Sequence, residues 1–321
     1  MSKTILAVEN LKTYFPIKGG VFNKIRAYVR AVDGVSFEVQ EGETFALVGE
    51  SGCGKSTTGR SILRLIEPTE GKVIFNDKDI LVLSREQLRM MRKDMQIVFQ
   101  NPYSSLNPRM TVQKLLSEPL INHFNLTDKE VSERVNWILD KVGLAKQHLN
   151  RYPHQFSGGQ RQRISIARSI ITYPKFVIAD EPVSALDVSI QSQILNLLMD
   201  LQRDLGLTMI FISHDLNVVR RISSRVAVMY LGNIIEIGTT DELFDNPMHP
   251  YTDALLLSVP SLDPTKRKKR IILQGEVPSP INPPTGCVFQ TRCSKRMKIC
   301  EETRPSLKDI GNEHKVACHL Y

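Results

Sequence analysis

The segment Gly49-Glu50-Ser51-Gly52-Cys53-Gly54-Lys55-Ser56 narrows most what this chain can become. It follows a short apolar run, Thr44 to Val48, and opens a helical pattern from Ser56 to Leu65. Strand, glycine-rich turn and helix in that order satisfy G-x-x-x-x-G-K-S. The glycines let backbone N–H groups close on phosphate oxygens, and the helix N-terminus adds partial positive charge. Lys55 then contacts the β and γ phosphates and Ser56 ligates magnesium. A glycine turn without a ligand is the competing reading, and the flanking strand and helix disfavour it.

The remaining pattern extends this element into an α/β architecture. Apolar runs at Phe176 to Ala179, Thr208 to Ile212 and Arg225 to Tyr230 alternate with helical stretches at 159–172 and 189–205. That alternation implies a parallel sheet with helices on its faces, and ligands at the carboxyl ends of the strands. Val48, Asp180 and Ser213-His214 all stand at such ends. Residues 1–40 alternate apolar and polar in short runs (Ile5, Ala7; Val35, Phe37, Val39), which reads as a small sheet interrupted by a loop from Pro16 to Lys24. Gly71 to Phe75 restarts a strand. Residues 101–150 begin with Pro102, Pro108 and Pro119 and continue with helical spacing at Val131, Val135, Ile138, Leu139 and Val142, as expected of a helical insertion.

Composition excludes several classes. No apolar run approaches the roughly 20 residues that span a bilayer, and Met1 to Leu11, with Glu9, lacks the core of a secretory signal. The chain is expected in the cytosol. The net charge of +8 permits an acidic partner, but it gathers in local clusters, Arg89 to Lys93 and Lys266 to Arg270, which read as solvated loops and helix ends rather than a nucleic-acid footprint. From Pro260 to Pro284 prolines and the basic run mark a linker.

Two further motifs carry chemistry. Asp180 ends an apolar strand and can hold magnesium; Glu181 follows and can polarise an attacking water. Ser157-Gly158-Gly159-Gln160 is at once a capping box and a glycine-rich helix start able to hold an anion. In the order phosphate loop, Ser-Gly-Gly-Gln, Asp-Glu, Ser184-Ala185-Leu186-Asp187, the chain resembles the ATP-binding cassette ATPases, with Phe156 where leucine usually stands.

The resemblance implies an α/β P-loop cassette with a parallel-sheet core, an N-terminal antiparallel β subdomain and a helical signature subdomain at about 101–158. Residues 1–259 would form the nucleotide-binding domain and 260–321 a small cysteine-bearing C-terminal extension. It places Gly49, Glu50, Ser51, Gly52, Cys53, Gly54, Lys55, Ser56 and Thr57 around the phosphates, and Phe15 on the adenine with Tyr14 as runner-up. Cys53 occupies a variable loop position where a helix N-terminus could lower its thiol pKa. Gln100, Glu181 and His214 join Lys55 in catalysis, and Ser56, Gln100 and Asp180 serve magnesium. Ser157, Gly158, Gly159, Gln160 and Asp187 would meet the ATP of a second cassette.

Asn101 to Arg109 and Asn246 to Thr252 sharpen the resemblance to the peptide and nickel importer subfamily. It implies an ATPase at the cytoplasmic face of a cell membrane, held there peripherally. Its partners would be a homologous second ATPase subunit, two permease subunits that dock on residues 101–112, and an external peptide-binding protein. Nickel or another small solute is the alternative cargo, and a soluble cassette acting on nucleic acid is the remoter rival. Of five cysteines, Cys287, Cys293, Cys300 and Cys318 stand in the tail. In a reducing compartment they are not expected to pair. Their spacing is wider than the pairs about two to four residues apart of structural zinc sites. A [4Fe-4S] cluster, which the resemblance implies for such tails, is preferred to zinc, and zinc to four free thiols.

Overall fold

The protein is described by a computed structural model covering residues 3–19, 23–258 and 275–321. The run Lys266 to Arg270 and most of the expected linker lie outside the described residues. The chain passes repeatedly between two compact units: Met1–Lys3, Gln40–Glu43 and Val82–Ile212 form one, and Thr4–Val39, Thr44–Leu81 and Ser213–Tyr321 form the other.

In the first unit, strands Met95–Val98, Phe176–Asp180 and Thr208–Ile212 lie parallel, with Met95 opposite Phe176 and Phe176 opposite Thr208. The last two are buried along their whole length, which is why they read as unbroken apolar runs. The helical insertion comprises Pro102–Ser105, Val112–His123 and Asp128–Val142. The third starts at a Thr127–Glu130 capping box, ends at Gly143 with φ 69°, and buries Val135, Ile138, Leu139 and Val142. Pro119 lies inside the second helix; Thr111 caps that helix, and burial of Val112, Leu115, Leu116 and Leu120 outweighs the lost hydrogen bond.

In the second unit a four-stranded sheet has the order Lys24–Gln40, Thr4–Gly19, Glu70–Phe75, Lys78–Asp79. The expected loop from Pro16 is corrected here. The first strand continues to Gly19 and the next begins at Lys24, with Pro16 outside the stretch Leu6 to Lys12 that pairs with Phe75 to Glu70. Elsewhere in this unit Thr44–Val48 runs parallel to Arg225–Tyr230, which pairs antiparallel with Asn233–Thr239. That strand pairs in turn with Lys315–Val316, and this with Lys308–Asp309. The cysteine-bearing tail thus adds strands to the sheet of the phosphate loop rather than forming a compact unit of its own.

A buried carboxylate fastens the tail there. Glu236, fully inaccessible, accepts from the N–H groups of Met248 (2.7 Å) and His249 (3.0 Å) and contacts His314 Nε2 at 2.7 Å. Burial depresses His249 to a pKa of about 4. Its Nδ1 accepts from the Tyr251 N–H at the start of helix Pro250–Leu257. Removing the His314 ring leaves a buried carboxylate short of one partner. His314→Ala is expected to lower stability to urea by about 1–3 kcal/mol, and His314→Gln, which can still donate, by less; equal loss would show that packing rather than the hydrogen bond matters.

Candidate functional site

The residues expected to handle one nucleotide are divided between the units. In the second, the buried strand Thr44–Val48 delivers the chain to Gly49, and helix Lys55–Ile62 departs after Gly54. Gly49, Gly52 and Gly54 have φ of 148°, 79° and 108°, a region costly to residues with a Cβ. A Cβ on Gly49 would stand 2.2 Å from Met229 O, and one on Gly54 2.1 Å from Ala31 O. The loop is therefore pressed against neighbouring backbone. Lys55 is buried, and its Nζ donates to Gly49 O (2.9 Å) and Glu50 O (3.0 Å), folding the cation back over the loop. This backbone and cation fit a polyphosphate. Ser51 and Gly52 are exposed, and Ser56 and Thr57 half-exposed, as phosphate and metal contacts require.

The Cys53 expectation is corrected. The side chain is buried, which raises its thiol pKa despite the nearby Lys55. Only its backbone remains to serve a phosphate. Ser213 N–H donates to Leu47 O (3.2 Å), so exposed His214 leaves the chain beside the strand that ends at the loop. Of the two candidate aromatics, Tyr14 is engaged: its hydroxyl donates to Asp33 Oδ1, and burial followed by that bond raises its pKa to about 12. Phe15 is the exposed ring, at 39%.

In the first unit, Asp180 is fully buried at the end of its strand, opposite Ile212. Glu181 N–H donates to Ile212 O (3.0 Å), and Glu181 holds φ 46°. A non-glycine residue in that region is strained, and such strain concentrates at functional sites. The twist turns the Glu181 carboxylate to Gln100, whose Nε2 donates to Oε2 at 2.7 Å and to Ser184 Oγ at 3.4 Å. Gln100 and Glu181, far apart in sequence, are thus brought together; the contact of Ser184 with Gln100 and the strained Glu181 backbone had no signal in the sequence.

Ser157 accepts from Gln160 N–H at 3.4 Å, while Gln160 Oε1 accepts from Ser157 N–H at 3.1 Å, so the capping box forms. A Cβ on Gly159 would lie 2.6 Å from Ile190 Cγ2, so close packing on helix Val188–Leu205 also demands this glycine. Asp187 stands exposed at the N-terminus of that helix without a side-chain cap bond.

Cys287, Cys300 and Cys318 are buried and Cys293 half-buried. Burial, then the Phe289 backbone and the other three thiols, set Cys287 at a pKa of about 11, a net rise. Four thiols in one short tail suit a soft metal by donor chemistry. Their arrangement does not complete the expected cluster: among the described residues no group of three or more His, Cys, Asp or Glu is placed to hold a metal ion. Nor is any helix among them long and apolar enough to cross a membrane.

A family model described as ABC transporter matches residues 32–184, and one described as oligopeptide/dipeptide transporter, C-terminal region, matches residues 235–300. The oligopeptide transport ATP-binding protein AppF of Bacillus subtilis is 54% identical over 99% of this chain and 98% of its own length. The dipeptide transport ATP-binding protein DppF of Escherichia coli is 51% identical over 99% and 95%. The chain belongs to the ABC transporter ATPases. Solved cassettes agree in fold. A dimeric post-hydrolysis state of the ATP-binding cassette MJ0796 bound to ADP and Pi gives a TM-score of 0.66 at 29% identity, covering 73% of this chain and 98% of that one. CbiO1 of Clostridium perfringens gives 0.65 at 30%, covering 76% and 92%. As an ABC ATPase the chain binds and hydrolyses ATP with magnesium.

The loop's crowding yields a graded expectation. Gly52→Ala, with open space around the new Cβ, should cost only the strain of its backbone, about 1–2 kcal/mol. Gly54→Ala must also displace the Ala31 carbonyl and should lower the melting temperature further. Equal melting of the two variants would contradict the packing described.

Proposed function

We propose that this chain is the ATP-hydrolysing subunit that powers import of di- or oligopeptides through a multi-subunit transporter. The observation that carries the reading is near-full-length similarity to oligopeptide and dipeptide transport ATP-binding proteins, joined to the match of residues 235–300. The subunit works peripherally on the cytoplasmic face of the membrane. Its partners are a homologous second ATPase and two permease subunits, and an external binding protein delivers the peptide.

In this reading each residue takes a part in turnover. The loop Gly49 to Thr57 cradles the phosphates, and Lys55 exchanges its carbonyl partners for β and γ oxygens. Phe15 stacks on the adenine. Ser56, Gln100 and Asp180 would hold magnesium, which would supply charge neutralisation for phosphoryl transfer. Glu181 takes the proton of the attacking water, with Gln100 holding the carboxylate in one orientation. His214 contacts the γ phosphate. Ser157 to Gln160 and Asp187 meet the nucleotide of the second cassette, a reading that the dimeric ADP-bound relative supports.

The permease docks on residues 101–112. Asn101 Oδ1 accepts from Tyr103 N–H (2.9 Å) to start helix Pro102–Ser105, and Tyr103, 63% exposed, lies under the Arg161 guanidinium at 4.1 Å. Arg109 is exposed beyond it. This is a shaped, aromatic surface that follows directly on Gln100.

Glu181→Gln preserves shape and removes the base. In the assembled transporter it should retain ATP while turnover falls roughly 10²–10⁴-fold and uptake of a labelled dipeptide ceases. Near-normal hydrolysis would move the base elsewhere; uptake of nickel but not peptide by the native complex would replace the cargo.

In this reading Cys287, Cys293, Cys300 and Cys318 would hold a [4Fe-4S] cluster. Four thiols in one short tail and the Cys287 N–H to Cys300 O bond of 2.8 Å support it, while their present placement, not gathered to hold a metal ion, means the cluster would have to draw them together. Protein purified without oxygen should contain iron and acid-labile sulfide, lost in Cys300→Ser but kept in Cys53→Ser. Zinc, or no metal at all, in such protein would end the cluster assignment.

A further inference from the structure

Beyond the sheet it extends, the tail reaches the phosphate loop itself. Arg292 Nη1 lies 2.8 Å from Glu50 Oε2 and Nη2 3.2 Å from Oε1, a bidentate fork. The Arg292 side chain is 7% exposed and that of Glu50 29%, so water screens the pair only in part. Glu50 is the second residue of the loop, and its N–H donates to Tyr251 Oη at 2.9 Å. The Tyr251 ring packs at 4.8 Å on Tyr230 and 5.4 Å on Phe289. Phe289 is buried and passes its carbonyl to the Arg292 N–H (3.0 Å). One loop residue is thus held twice, by side chain and by backbone, and both holds rest on one aromatic cluster that includes a tail residue. The bond to Glu50 raises the Arg292 pKa, countering its burial.

A second tail arginine reaches the adenine side. Arg304 Nη1 donates to Asp33 Oδ2 at 2.9 Å, the same carboxylate that fixes Tyr14, next to Phe15. Burial pushes Asp33 up, but Tyr14 and Arg304 outweigh it and hold its pKa low.

A carboxylate in a loop that must receive a polyphosphate opposes its ligand, and the opposition grows where water is scarce. We propose that Arg292 is a positioning residue of the ATP site, which neutralises Glu50 and fixes its orientation so that the loop can accept phosphate. The C-terminal tail is then a working part of the nucleotide site and not only an appendage. This rests on the ATP-binding reading and is independent of the cargo.

The test uses the full chain with MgATP, measuring both nucleotide Kd, with a fluorescent trinitrophenyl ATP, and steady-state hydrolysis. R292Q should raise Kd and the KM for ATP about tenfold, the size of coupling between close charges, with kcat changed much less. In an E50Q background the same R292Q change should shift Kd less than twofold, because the charge that Arg292 answers is gone. Melting curves accompany each variant. R292K, which keeps charge and bulk but not the fork, serves if R292Q does not fold; it should show a smaller but measurable rise in KM. Unchanged KM in R292K or R292Q, or an R292Q effect equally large with E50Q present, overturns the proposal. Failure of the unaltered chain to bind ATP would remove the ATP reading itself, and this proposal with it.

Discussion

The buried Glu236 carboxylate is the interaction on which much of the second unit depends. A charge removed from water is costly unless several donors replace the lost hydration. Here the donors come from separate stretches: the backbone of Met248 and His249 ahead of helix Pro250–Leu257, and the His314 ring from the tail. Satisfying one side chain therefore fixes the entry of a helix and the pairing of Lys315–Val316 with the strand that carries Glu236. The helix in turn brings Tyr251 beneath Glu50. Electrostatic necessity at one residue propagates into the geometry of the phosphate loop.

A second constraint is steric. Gly49 and Gly54 lie so near the carbonyls of Met229 and Ala31 that a methyl group has no place. Lys55, bent over the loop onto two of its carbonyls, gives those oxygens a donor and its own buried ammonium two acceptors. Across the strand ends of the first unit, Glu181 accepts an unfavourable backbone conformation and gains a hydrogen bond from Gln100. Both places hold chemistry by over-determined backbone and not by flexible side chains.

Four strands were legible in the sequence because they are buried along nearly their whole length and so appear as apolar runs with sharp ends, whereas Met95–Val98, Asn233–Thr239 and the two short tail strands were not read as strands. Thr44–Val48, Thr208–Ile212 and Arg225–Tyr230 emerge with the bounds read from the sequence. The phosphate loop, Asp180 and Glu181 were legible because their chemistry demands fixed residue types in fixed order. Less was legible where tertiary contact overrides local signals. Pro119 sits inside a helix held by its buried leucines, and Pro16 continues a strand. A helix N-terminus could have lowered the Cys53 thiol pKa, but burial raises it. The resemblance put Phe15 ahead of Tyr14; the hydrogen bond that engages Tyr14 with Asp33 had no signal in the sequence. Arg292 and Glu50 had no motif to link them across most of the chain.

The interleaving of the two units bears on how the chain is made. The unit that holds the phosphate loop draws on Thr4–Val39, Thr44–Leu81 and Ser213–Tyr321. A ribosome adding about 5–20 residues per second thus exposes the loop and its first strands well before the residues that complete their surroundings. During that interval Thr44–Val48 lacks Arg225–Tyr230, its parallel neighbour within the unit, and remains an apolar edge. Vectorial synthesis finishes the intervening Val82–Ile212 unit first. The unit that holds the phosphate loop is complete only once the tail strands that pair with Asn233–Thr239 have been made.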